Sequence, residues 1–339
     1  MSNASSKPTP IGLPTIPRIG WRRFDYLPVG LFASVMGLTG LSFAWRLAEA
    51  RYGAPAVLAD AIGWAAVAAF VAMTLGYAVK LVTAPDAVLA EFRHPIAGNL
   101  FGTLLISLLL LPIVLAPIHL RLAQGMWILG AVGMLVFAWA IVTRWLSERQ
   151  VAAHATPAWI VPAVGLLDLP LALPSLGLPH THGVMVLGLS VGLFFAVPLF
   201  TMIVSRLLFD APLPSALQPT LLILVAPFAV GFSTYVTTTG TVDLFAEALY
   251  ALMLFMLAVL MPRLRHLPRS CPFRVSWWAV SFPLAASATT ALRFAAAEPG
   301  LATDAVAVML LAGSSIVILG LLARTLLGLA KGELRTLSS

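Results

Sequence analysis

Residues 97–117 read AGNLFGTLLISLLLLPIVLAP, twenty-one consecutive positions without a charged side chain. At about 1.5 Å per residue, a helix of that length covers the roughly 30 Å hydrocarbon core of a bilayer. Similar runs, bounded by charge, Pro and Gly, recur along the chain. They predict ten spans, at 27–48, 56–82, 97–117, 123–144, 157–176, 183–206, 217–238, 242–262, 275–296 and 302–329. The fifth is interrupted by Pro162, Asp168, Pro170 and Pro174. Of the 339 residues 60% are hydrophobic and only 10% charged, against roughly 25% charged in soluble domains, so a soluble fold is excluded. The expected protein is all-α and membrane-embedded. Residues 1–26 would form a flexible cytoplasmic tail, 27–329 one membrane domain and 330–339 a second cytoplasmic tail.

Charge sets the orientation. Of the 20 Lys and Arg, 16 fall in the amino-terminal tail, the carboxyl-terminal tail and the loops after spans 2, 4, 6 and 8, or close to those ends. Only Arg46, Arg51, Arg121 and Arg293 fall on the other side. The positive-inside rule then places both termini in the cytoplasm. The same asymmetry accounts for the formal charge of +7 without nucleic-acid binding. A single cysteine, Cys271, cannot form an internal disulfide. The first twenty residues lack the apolar core of a cleaved signal peptide.

The spans group into five pairs, 27–82, 97–144, 157–206, 217–262 and 275–329, as in transport folds built from internal repeats. Interior Pro112, Pro162, Pro170, Pro227 and Pro283 all lie in odd-numbered spans, while span 1 carries Gly30, Gly37 and Gly40. Proline bends a helix and frees carbonyl groups, which packed helices or a wet cavity can accept but lipid cannot. The odd spans also carry hydroxyls: Thr39 and Ser42, Thr103 and Ser107, Ser233 and Thr234, Ser281 and Ser287. Single Gly, Ser and Thr residues also serve close helix packing. Their alternation over five pairs predicts an inner ring of bent, hydroxylated helices, with Thr39, Ser107, Ser233 and Ser287 as candidate pore-lining groups, inside five straighter ones.

No phosphate-binding glycine loop, metalloprotease motif or nucleophile elbow is present, so no enzyme, cofactor or metal is expected. His180 and His182, with Asp168 upstream, lack an evident third ligand and read as loop residues. Asp60, Glu247 and Arg293 fall near external span ends, whereas Asp168 lies deeper and is the candidate titratable group. Without a ring of fixed charge, selection would rest on pore diameter, dipoles and a hydrophobic gate. Phe282, beside Pro283, and Phe32, among glycines, are the candidates for that gate.

Six stretches carry a family resemblance: LPVGLFASVMGLTGLSFAW at 27–45, EFRHP at 91–95, TPAWIVPAVG at 156–165, LVAPFAVGFSTY at 224–235, SWWAVSFPLAASA at 276–288 and LAKGEL at 329–334. In order and spacing they resemble the tellurite-resistance/C4-dicarboxylate transporter family, which groups TehA with the plant slow anion channels. The resemblance implies ten helices as five hairpins in a quasi-five-fold ring around a central pore, assembled as a homotrimer. It places the occluding phenylalanine at Phe282, through SFPLA, and a second at Phe32. Ala33 and Val35 depart from the glycine and proline that family members can carry there. The function implied is a gated channel for small inorganic or organic anions in a bacterial inner membrane. The alternative is a secondary transporter of C4-dicarboxylates, sulfite or tellurite-related anions, with Asp168 as its proton carrier.

Overall fold

The computed structural model describes residues 24–338. Most of the tail expected at 1–26, including Lys7, Arg18, Arg22 and Arg23, lies outside the described residues. Among the described residues every regular element is helical. Eight helices among the described residues are long and apolar enough to cross a membrane. They are α1 (Val29–Tyr52), α2 (Ala56–Thr83), α3 (Ala97–Leu115), α4 (Leu120–Ser147), α6 (His182–Phe209), α7 (Ser215–Thr239), α8 (Leu244–Leu267) and α10 (Leu301–Ala330).

The other two expected spans differ for visible reasons. The apolar helix α5 (Pro157–Asp168) is short, because closely spaced prolines replace regular bonding beyond Asp168 with a turn and the small helix Leu173–Leu176. The segment α9 (275–297) runs as Val275–Val280 and then Ser281–Ala297. Four hydroxyls and Arg293 make Ser281–Ala297 less apolar than the other spans.

Each odd-numbered segment enters through a 3-10 turn before widening into α-helix, at Val29–Phe32, Ala97–Phe101, Pro157–Trp159, Ser215–Val225 and Val275–Val280. Hydroxyls secure four of these entries by donating three residues back: Ser34 to Leu31 O, Thr103 to Leu100 O, Thr220 to Leu217 O and Ser281 to Trp278 O, at 2.5–2.7 Å. Pro162, Pro227 and Pro283 then sit in the first turn of the α-helical part, where a missing N–H costs least. Pro112 is different, following a break at Leu111 within α3. Pro170 lies in the turn beyond α5.

Burial separates the two helix classes. In α1, α3 and α7, 72–78% of the most apolar stretch is buried, against 22–39% in α2, α4, α6, α8 and α10. Large side chains such as Trp64, Trp139, Phe194, Phe255 and Ile316 stand exposed on the even-numbered helices, as lipid contact requires. Helix α1 packs against α3 and α9, α5 against α3 and α7, and α7 against α9. Each even-numbered helix lies on its preceding partner, and α10 also touches α1.

Glu91 of the EFRHP stretch, on the short helix Pro85–Arg93, pins the start of α1. Its Oε1 accepts the Val29 N–H at 2.7 Å, and its Oε2 meets Lys80 Nζ at 2.6 Å and the Tyr77 hydroxyl at 3.0 Å. Lys80 also donates to Leu27 O at 2.7 Å. Within the second expected tail, Leu334–Ser338 is a helix folded back so that Leu337 is buried against Gly328.

Candidate functional site

Three cavities lie in series between the odd-numbered segments. The first, about 290 Å³, opens where those segments begin. Residues from all five line it, among them Ala33, Thr103, Val164, Thr220 and Ala279, with Leu337 at its rim. A small chamber of about 30 Å³ follows, and then an outer opening of about 700 Å³ beside Arg51, Gly240 and Ala297, at the far ends of α1, α7 and α9. The lining on α1 runs through Ala33, Met36, Gly40, Phe43, Leu47 and Ala50, and that on α9 through Ala279, Phe282, Ala286, Thr289, Arg293 and Ala296. Steps of three and four residues mark one continuous stripe per helix. On α7 the stripe begins with strict steps of three, at Leu217, Thr220, Ile223 and Ala226, as its 3-10 entry requires.

Phe282 and Val230 border both the first cavity and the chamber, so the phenyl ring stands at their boundary. It lies beside Gly40, where a Cβ would come within 2.9 Å of Ala285 Cβ and 3.8 Å of the Phe282 ring. Phe32 is placed elsewhere. It is buried in edge-on contact with Phe70 and Tyr77 of α2, at centroid distances of 6.0 and 6.4 Å, and borders none of the three cavities. Gly37 lies in unbroken α-helix and allows α1 to pass close to Ser281.

The four candidate hydroxyls divide evenly. Thr39 and Ser233 line the chamber. Ser107 instead donates to Thr103 O and Phe32 O, at 2.7 and 3.2 Å, and Ser287 to Pro283 O at 2.7 Å. Asp168 is buried on the wall of the first cavity, with Oδ1 lacking a hydrogen-bond partner. Asp60 is exposed and pairs with Arg46 at 3.0 Å, and Glu247 is exposed in the first turn of α8. Arg293 has a more central place than a span end suggests. Its Nη1 donates to Ser233 O at 3.1 Å and to Thr237 Oγ1 at 2.8 Å, and the guanidinium lies 5.5 Å from the Phe43 ring centroid. Extending the stripe from Phe282 by four, three and four residues would have found it.

Apolar helices outside and cavities in series along the inner helices define a multi-pass, all-helical membrane protein. A family profile described as voltage-dependent anion channel, SLAC1, matches residues 26–326. The chain is 27% identical over 312 residues to the tellurite resistance protein TehA homolog of Haemophilus influenzae, covering 91% of this chain and 92% of that protein. It is 25% identical over 315 residues to S-type anion channel SLAH2 of Arabidopsis thaliana, covering 91% of this chain and 60% of the plant protein. With the uncharacterized transporter MJ0762 of Methanocaldococcus jannaschii it shares 29% identity over 229 residues, covering 61% of this chain and 66% of the archaeal one. It thus spans less than two thirds of the length of these last two relatives. The chain belongs to the SLAC1/TehA family.

Proposed function

We propose that this protein is an anion channel whose path runs through the three cavities and is closed in the resting state by Phe282. One observation carries the reading: Phe282 stands at the boundary between two cavities that the odd-numbered segments line in series. The pairwise packing supports two concentric five-membered rings, with odd-numbered segments inside and even-numbered segments against lipid. Helix starts converge on the first cavity, so its mouth carries the positive ends of helix dipoles, which favour anions. The Lys and Arg asymmetry supports a cytoplasmic placement of that mouth and of both termini. The exposed apolar surface of the even-numbered helices leaves room for a homotrimer in a bacterial inner membrane, as the resemblance implies.

Currents from purified protein in planar bilayers test this reading. Phe282→Ala should produce an ohmic, anion-selective current that the wild type lacks. Absence of any increase in correctly folded variant would refute the gate. The buried, unpartnered Oδ1 of Asp168, a residue on the wall of the first cavity, favours a second reading, a proton-coupled carrier of sulfite, dicarboxylates or tellurite-related anions.

A further inference from the structure

The chamber beyond Phe282 holds about 30 Å³, room for about one or two water molecules. Its lining is largely apolar, and among the described residues no Asp or Glu contributes to it. Its polar groups are Thr39, Ser233 and Thr289. A helical Thr or Ser ordinarily spends its hydroxyl on a carbonyl one turn back, as Ser107 and Ser287 do. Thr39 does not: it is fully buried and its Oγ1 has no partner. Thr289, also buried, makes no side-chain hydrogen bond among the described residues. Ser233 differs, because Thr290 donates to Ala229 O at 2.7 Å, which leaves Ser233 as the donor in its 3.2 Å contact with Thr290. Two uncommitted O–H donors, from the adjoining helices α1 and α9, therefore serve a space too small for a hydrated ion.

A positive charge closes the far side. Arg293 lies one turn beyond Thr289, and among the described residues no carboxylate pairs with it. Its Nη1 uses Ser233 O and Thr237 Oγ1, which fixes the guanidinium above the chamber against Phe43. An anion in a low-dielectric space needs both donors that replace its water and a nearby cation. A small monovalent ion meets those terms here, while an oxyanion with several charged oxygens exceeds both the space and the single charge.

We propose that this chamber binds one dehydrated monovalent anion of the halide class, through the Thr39 and Thr289 hydroxyls beneath Arg293, with Phe43 and Arg293 as a second constriction outside it. The proposal rests on reading the cavities as an anion path, and it makes the ion pause between two barriers rather than pass a single gate.

Bromide is the probe, because its anomalous scattering locates it in crystals of the full chain. Wild type should show a bromide peak between Phe282 and Arg293, within hydrogen-bond distance of both threonine hydroxyls. Thr39→Val should lose the peak and Thr39→Ser should keep it, which separates a lost donor from a disturbed fold. An empty chamber in wild type, or an undiminished peak in Thr39→Val, would overturn the site. Bilayer currents separate this from the channel reading. A Phe282→Ala variant that conducts while the chamber stays empty leaves the channel and removes the site. A seated bromide without current in that variant does the reverse.

Discussion

Glu91→Gln should destabilise the fold through a charge that the structure leaves nowhere to go. Lys80 is only 3% exposed, and Glu91, at 12%, supplies its sole anionic contact among the described residues, in a 2.6 Å pair. Glutamine can still accept the Val29 N–H through its carbonyl oxygen, so the first turn of α1 keeps that bond. The ammonium, however, retains only Leu27 O and the Tyr77 ring, whose centroid lies 5.1 Å away. Removing one partner of a fully buried pair costs about 3–5 kcal/mol, and residual water access at Glu91 brings the expectation to roughly 2–4 kcal/mol. At about 2–4 °C per kcal/mol in chains of 150–250 residues, and somewhat less in a longer one, Tm should fall by on the order of 5–10 °C.

Lys80→Met should cost less, about 1–3 kcal/mol, because Val29 N–H and the Tyr77 hydroxyl still satisfy the carboxylate. In the double variant neither charge remains, and buried pairs replaced by neutral groups of similar size are often close to neutral. Thermal unfolding of the four proteins in one detergent forms a double-mutant cycle, and a near-neutral double variant leaves the sum of the two single costs as the coupling, at least about 3 kcal/mol. If the two single effects simply add, the pair is not coupled and the account of Glu91 as the pin of α1 is refuted.

Gly37→Ala should cost about 1–3 kcal/mol by overpacking, since the new methyl meets Ser281 where α1 and α9 pass closest. Ser281→Gly in the same chain should recover only part of the lost Tm, because it also removes the hydroxyl's bonds to Trp278 O and Ala33 O, and no recovery at all would place the clash elsewhere. Asp168→Asn should leave anion flux and its pH dependence unchanged if the path is a passive channel, because the carboxyl makes no partner bond at Oδ1 that the amide would break. Loss of pH dependence in liposome uptake would instead favour the proton-coupled carrier.

Apolar length, the pairing of spans and the difference between odd and even helices are legible in the sequence because each follows from composition along a run of residues. The eight long spans lie where uncharged runs place them, and prolines on odd-numbered segments coincide with their greater burial. What those prolines do locally is less legible. Pro162, Pro227 and Pro283 predict bends within helices, but they occupy first turns behind 3-10 entries, where the absent N–H is of little consequence. A sequence shows that a donor is missing, and only the helix start decides whether that donor was needed. The Lys80–Glu91 pair escapes sequence reading for a related reason. Eleven residues and a change of helix separate two side chains that read as ordinary loop-flanking charges.

The candidate pore residues divide by rotation about their helices. Phe32, Gly37, Ser107 and Ser287 each stand one position from a cavity-lining neighbour: Ala33, Met36, Ile106 and Ala286. One residue turns an α-helix by about 100°, enough to move a side chain from the lumen to a helix interface. Residue type cannot settle that angle, because a hydroxyl serves equally well against a carbonyl one turn back. A stripe anchored at one position can. Counting outward from Phe282 in steps of three and four reaches Ala286, Thr289 and Arg293 on α9, and the same steps from Ala33 reach Gly40 and Phe43 on α1, with Thr39 beside them. The lining of the proposed path is thus a property of phase along the helices that border it, and a single well-anchored aromatic residue carries more information about it than a census of prolines and hydroxyls.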